Sequence, residues 1–218
     1  MFTQRYLAFL RFLIRWEGAT NVAPGEDIED AYQRAMPFAF CNHPNDSGAS
    51  TMMGVTMRVF NVWRTAICQK PRPTADDLRA MTFTEWETIV SYLYWQPLRA
   101  DVLPFDCYAL ALADWHWHSG TTAIRHAQRL LGVEADGIVG RKTVNAAKRL
   151  MGTRERARQM ATQLTEQRRT FLANVVKNKP LRAAFAKGWD NRLDALLALF
   201  EQLDLNDEER AALRKRQR

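Results

Sequence analysis

Along most of the chain apolar residues recur at spacings of three and four, and no segment alternates apolar with polar residues at the two-residue period of a strand. That pattern restricts the chain to packed amphipathic helices, an all-α class. Helix starts are marked as clearly as the stripes. Thr74 stands three residues before Asp77, Thr82 before Glu85 and Thr84 before Glu87, the spacing at which a hydroxyl and a carboxylate cap each other's backbone N–H groups. Asp106 is placed to cap a helix over 107–118, Gly120 to break it, and Gly132 to take positive φ after a helix ending near Leu131. Further helices are expected near 141–151, over 153–178 with Pro180 as the stop, and from Trp189 to Leu203.

A chain of 218 residues with 47% hydrophobic and 25% charged residues can bury a sizeable core, and seven Trp argue against disorder. Lys and Arg total 31 against 24 Asp and Glu, a formal charge of +7 that suits an anionic partner such as nucleic acid, membrane or cell-wall polymer. Nucleic acid is the poorer fit, because no short turn leads into a helix clustered in Arg, Lys and Asn. Arg5, Arg11 and Arg15 interrupt the apolar amino-terminal stretch, so neither a signal peptide nor a membrane-inserted span is expected, and the protein reads as made in the cytoplasm. Cys41, Cys68 and Cys107 form no paired framework and are expected as thiols, with one optional bridge. The carboxy-terminal run NDEERAALRKRQR (206–218) reads as a charged, frayed end.

The longest stretch without a clear helix, 18–56, holds Pro24, Gly25, Pro37, Pro44 and Gly48, and long loops in compact domains tend to carry function. Its two edges hold the chemistry. On a helix over 4–17, Tyr6, Leu7, Phe9, Leu10, Leu13 and Ile14 make one apolar arc with the three Arg opposite, and Glu17 falls near the middle of the arc. A carboxyl there, beside Trp16, is expected to lose hydration, which disfavours its ionised form and suits a general acid. The alternative is a helix end at which Glu17 turns to solvent or pairs with an Arg.

The far edge supplies Asn42, His43, Asn45, Asp46, Ser47, Ser50 and Thr51, with Gly48 and Gly54 allowing close backbone approach. Asp46 and Thr51 can together hold a water opposite a glycosidic bond while Glu17 protonates the leaving oxygen. The plainer use of Asp46 is an Asx turn. Zinc is a poor reading of Cys41, His43, His116 and His118, because positions i and i+2 of a helix face different ways and no four-ligand spacing emerges. No metal or organic cofactor is expected.

The run WEGATN (16–21) followed by NHPNDSGASTMMGVT (42–56) resembles the E-G-G and N-D-P-x-D-x-G-G-x-T-x-x-G-I-T signatures of glycoside hydrolase family 108, the bacterial and phage N-acetylmuramidases. YWQPLRAD (94–101), LADWHWHSG (112–120), AQRLLGVEADGIVGRKT (127–143) and FAKGWDNRL (185–193) are similar to further segments of that family and its associated carboxy-terminal peptidoglycan-binding region. The resemblance implies a lysozyme-like helical fold with a long active-site loop and carboxy-terminal helices. It implies a catalytic region over 1–120, a peptidoglycan-binding-type region over 121–203 packed on it, and a charged tail over 204–218. Glu17 matches the catalytic acid, while Asp46 and Thr51 match the acidic and hydroxyl positions. His43, Asn45, Asp114 and Trp117 are the substrate-binding candidates, and Trp63 and Trp95 join Trp117 as candidates for sugar stacking, with core packing the commoner use of such rings.

The sequence departs from the family pattern at three places. Gly-Gly becomes Gly18-Ala19 and later Gly48-Ala49, His43 stands where the family has Asp, and residues 22–41 are interposed between Glu17 and Asp46. The interposed DIEDAYQRAMPFAF is expected to form a short amphipathic helix that shapes substrate access. Asp114 is either a group that caps or pairs behind the cleft or a substrate contact. DGIVGRKT reads as a tight helix connection, and Trp189 and Arg192 as anchors of the closing helix to the core.

The expected function is hydrolysis of the β-1,4 bond between N-acetylmuramic acid and N-acetylglucosamine by a monomer acting on peptidoglycan glycan strands, with an inverting course suggested by the resemblance. A non-catalytic peptidoglycan-binding protein is the alternative. The cell wall would be reached through a holin, as for an endolysin, or through a secretion system, as for an antibacterial effector that would then have an immunity partner.

Overall fold

A computed structural model describes residues 2–42 and 50–205. By internal contacts the chain forms two compact units, one ending at Tyr94 and one beginning at Trp95. Ten α-helices are described, together with one small antiparallel sheet that departs from the expected all-helical pattern. Its strands are two or three residues long, too short to show a two-residue period in the sequence.

In the first unit α1 (Gln4–Glu17) starts at Thr3, whose hydroxyl accepts from the Tyr6 N–H, and ends where the Gly18 N–H donates to the Ile14 carbonyl. Its arc of Phe9, Leu10, Leu13 and Ile14 is fully buried. The interposed segment is α2 (Ile28–Ala39), capped by Asp27, which accepts from the N–H groups of Glu29 and Asp30. Pro37 lies in its last turn, and the helix ends two residues later. So the stretch 18–56 is not one long loop. A helix that buries Ala31, Tyr32 and Ala35 occupies its middle and packs on α1 and α5.

Strands β1 (Phe40–Asn42), β2 (Ser50–Met52) and β3 (Val55–Thr56) follow in spatial order, with Cys41 opposite Thr51 and Thr51 opposite Thr56. Met53 and Gly54 join β2 to β3 at φ 46° and 74°, the two-residue positive-φ connection favoured between twisted antiparallel strands. α3 (Met57–Val62) runs into a π-helical turn, Trp63–Ile67. α4 (Ala75–Arg79) and α5 (Phe83–Ile89) then begin at the expected reciprocal caps, Thr74 with Asp77 and Thr82 with Glu85. The third such pair does not form, because Thr84 already lies inside α5, where its carbonyl accepts from the Thr88 hydroxyl.

The second unit is built around α6 (Asp106–Ser119), whose residues 107–117 are all buried. A helix apolar on every side must be covered on every side, and α7 (Thr121–Leu130), α9 (Arg154–Asn178) and α10 (Ala183–Phe200) pack against it. Between α7 and α8 (Arg141–Leu150), the buried Gln128 amide organises the DGIVGRKT turn. It donates to Asp136 Oδ1 at 2.7 Å and to the Ile138 carbonyl at 3.0 Å, and it accepts from the Gly137 N–H at 2.8 Å. Gly137 has φ 83°, and the segment is the tight helix connection that its glycines suggested.

α6 is not capped by Asp106, which is its first helical residue. The Asp204 carboxylate, 98 positions away, accepts from the backbone N–H groups of Asp106 and Cys107 at 2.8 and 3.1 Å. Arg154 holds that carboxylate's own residue in place by donating to the Asp204 carbonyl at 3.1 Å. Replacing a helix-capping carboxylate by Ala costs about 1 kcal/mol. Asp204→Ala should therefore lower the urea midpoint by a corresponding amount without changing the slope of the transition.

Candidate active site

Glu17 is the last residue of α1 and is half-buried, and what fixes it is the residue that follows. A Cβ built on Gly18 would lie 2.6 Å from Ala35 Cβ in α2, 2.8 Å from the Ile14 carbonyl and 3.1 Å from Met53 Sδ in the β2–β3 turn. Only a residue without a side chain lets these three elements meet. The contact ties the end of α1 that carries Glu17 to the hairpin that carries Thr51, two residues before Met53. The Met53 carbonyl is held in turn by the buried Trp86 indole, which donates to it at 3.1 Å.

The chain after Gly18 is pinned as well. The Thr20 hydroxyl donates to the Gly18 carbonyl at 2.9 Å. Arg11 donates to the carbonyls of Ala23 and Glu26, and Arg34 to the Asn21 carbonyl and the Glu26 carboxylate. The Arg34 hydrogen bond, with the Ala23 N–H, holds the Glu26 carboxyl below its usual range. Ala19, at the second position of the resembled Gly-Gly, adopts φ 48°, in the left-handed region that favours glycine.

Thr51 sits in the middle of β2, partly exposed. His43, Asn45 and Asp46 belong to the seven residues that join Asn42 to Ser50 and lie outside the described residues. Trp63, Trp95 and Trp117 are 4%, 2% and 9% exposed, so their rings are engaged in packing. Trp63 stacks on Phe60 at 5.7 Å, and the Trp95 indole donates to the Asp101 carboxylate at 3.0 Å.

Asp114, in the second unit, is fully buried and both its carboxylate oxygens are taken. Arg192 Nη2 donates to Oδ1 at 2.6 Å and Arg168 Nη1 to Oδ2 at 2.6 Å. This geometry matches the first of the two roles considered, a group that pairs inside the fold, since it clamps α6 to α9 and α10. Burial pushes the carboxyl upward, but the Arg192 and Arg168 guanidiniums and His118 outweigh it and hold it well below the ordinary range. Both arginines stand on apolar faces in the sequence. Arg168 continues the buried stripe Ala157, Met160, Ala161, Leu164, Thr165, and Arg192 stands beside Leu193 and Leu196. Arg192 anchors the closing helix to the core as its position suggested, but through the Asp114 carboxylate, and Arg168 is the residue that the sequence reading does not single out.

Comparison with known proteins places these features. Residues 35–120 match the family Glycosyl hydrolase 108, and residues 122–194 match the family described as Predicted Peptidoglycan domain. Asp46, Thr51, Asp114 and Trp117 lie within that glycosyl hydrolase 108 region, and Glu17 lies amino-terminal to it. The glycosyl hydrolase 108 region and the peptidoglycan domain together mark a glycoside hydrolase active on peptidoglycan. Among solved structures, the chain is similar in fold to Brucella abortus SagA, at 24% identity and a TM-score of 0.62, over 82% of this chain and 98% of that one. No curated protein matches the chain.

Two outcomes follow for stability. Gly18→Ala forces a methyl group into the contact with Ala35 and the Ile14 carbonyl and should cost about 1–3 kcal/mol. Ala19→Gly relieves a left-handed alanine and should gain about 0.5–1 kcal/mol, the relief being partly offset by the greater freedom of the unfolded chain. Thermal unfolding of the pair should show shifts of opposite sign.

Asp114→Asn leaves two buried guanidiniums without their charge partner and should cost about 3–5 kcal/mol in denaturant titrations. Because the folded carboxyl ionises below its unfolded value of 3.8, the contribution is complete above about pH 4. It is lost as pH falls from there through the folded value. The wild type's advantage over the variant should hold at neutral pH and shrink only in acid.

Proposed function

We propose that the protein is an N-acetylmuramidase that hydrolyses the β-1,4 bond between N-acetylmuramic acid and N-acetylglucosamine in peptidoglycan. The observation that carries this reading is the side-chain-free contact at Gly18, which anchors the Glu17 end of α1 to the hairpin bearing Thr51. The glycosyl hydrolase 108 match over the segment holding Asp46 and Thr51 supports it. In the proposed mechanism Glu17 donates its proton to the leaving glycosidic oxygen. Asp46 and Thr51 position a water on the opposite face of the sugar and stabilise the charge that develops there. His43 and Asn45, in the same segment as Asp46, are proposed to contact the glycan.

The net charge of +7 favours encounter with an anionic wall, an attraction that salt should weaken. We propose that the protein acts as a monomer on the wall after leaving the cytoplasm through a holin or a secretion system. The second route would call for an immunity protein in the producing cell.

Glu17→Gln keeps the size of the side chain and removes the transferable proton. Release of soluble fragments from purified sacculi should fall about 10²–10⁴-fold in the folded variant. Wild-type products, reduced and identified by mass spectrometry, should carry reducible N-acetylmuramic acid ends. Anhydro ends would assign a lytic transglycosylase instead. Sacculus binding without release by folded wild type would leave a wall-binding protein.

A further inference from the structure

The turn between α9 and α10 carries the most exposed large apolar side chain among the described residues and a run of positive charge with no carboxylate in it. Leu181 is 93% exposed and Phe185 50% exposed. Leu181 lies in the short 3-10 turn, Pro180–Arg182, that joins the paired helices, and Phe185 lies in the first turn of α10. Lys177, Lys179, Arg182 and Lys187 lie around them, and no Asp or Glu occurs between Glu166 and Asp190. The cations and the apolar groups are interleaved, since the Arg182 guanidinium stands 5.8 Å from the Phe185 ring centroid. Phe185 stacks on Trp189 at 6.0 Å, which supports the ring from behind.

The apolar character extends along the end of α9. An open hollow of about 210 Å³ is lined by Phe171, Asn174, Val175, Asn178 and Lys179, and its surface is nearly all carbon. No described helix is long and apolar enough to cross a membrane, so this tip is suited to lie on a surface and not to span one.

We propose that this helix-hairpin tip docks on an anionic phospholipid bilayer, with Leu181 and Phe185 entering the interface and Lys177, Lys179, Arg182 and Lys187 meeting lipid phosphates. Charge complementarity calls for an anionic partner, and the apolar pair at the apex decides which one. Wall glycan presents hydroxyl, amide and carboxylate groups, against which an almost fully exposed Leu gains little. A bilayer interface rewards both halves of the pattern, through apolar burial and through the negative surface potential. The proposal is independent of the hydrolytic reading, because it concerns where the protein sits and not what it cleaves.

The test is co-sedimentation of the full-length protein with vesicles of phosphatidylglycerol and phosphatidylcholine, and with vesicles of phosphatidylcholine alone. Wild type should bind the anionic vesicles and bind the neutral ones about tenfold or more weakly. Leu181→Ser/Phe185→Ser keeps every charge and changes exposed positions, so its thermal unfolding should match wild type. Its partition onto anionic vesicles should fall about tenfold or more. Lys179→Glu/Arg182→Glu should produce a comparable loss, which lowering the salt does not restore. No binding of wild type to anionic vesicles would overturn the proposal. So would unchanged binding by the serine variant, which would reduce the effect to overall charge. Loss of sacculus binding by either variant, with vesicle binding intact, would also overturn it and assign the tip to the wall polymer.

Discussion

The missing side chain at Gly18 sets the geometry on which the candidate active site depends. Three elements converge there: the end of α1, the middle of α2 and the β2–β3 turn. With any side chain at that position, the end of α1 would be displaced from α2 and the hairpin by more than packed interiors tolerate without rearrangement. The contact links the end of α1, which carries Glu17, to the hairpin that carries Thr51. The segment interposed between Glu17 and Asp46 is itself part of this junction. It folds as α2, and Ala35 of that helix forms one wall of the contact.

The second unit is held by the opposite device, a buried charge in place of an absent side chain. Asp114 accepts from both Arg168 and Arg192, so the same carboxylate fixes the positions of α9 and α10 against α6. A pair of this kind contributes little net stability compared with apolar residues of the same volume, because desolvation of the three ions offsets most of their attraction. It does fix geometry, since any shift of α9 or α10 along α6 would strand a buried guanidinium. Apart from the two arginines and Thr165, the buried residues of α9 and α10 are Ala, Leu, Met and Phe200, whose packing is non-directional.

What the sequence made legible was local. The caps at Thr74 and Thr82, the stops at Gly132 and Pro180, the extent of α1 and the helix in the interposed segment all rest on residues within one turn of one another. The apolar pattern starts the closing helix at Trp189, but the helix begins at Ala183, because a single Gly188 inside it is tolerated. The partners of Asp114 and the capping of α6 by Asp204 were not read, since each joins residues at least 50 positions apart. Charge on an apolar stripe identifies a residue that must find a partner, but not which one. The aromatic candidates illustrate the same limit, as Trp63, Trp95 and Trp117 differ from sugar-stacking residues only in what covers them.

Backbone strain also gathers at the contact. Ala19 and Met53 are both non-glycine residues in the left-handed region, and they lie on the two chain segments that meet at Gly18. Each costs about 1–2 kcal/mol relative to an unstrained residue. Such conformations persist where their surroundings over-determine them. Here the Thr20 hydroxyl bond to the Gly18 carbonyl fixes the first segment, and the Trp86 indole bond to the Met53 carbonyl fixes the second. Relaxing either residue toward an ordinary φ would break its hydrogen bond and open the contact that positions Glu17. The strain is therefore a cost of holding two short segments at one point, and it explains why an alanine persists where the resembling family has glycine: the conformation is imposed by the contacts on either side, and Ala19 is exposed, so its methyl group meets solvent and not the core.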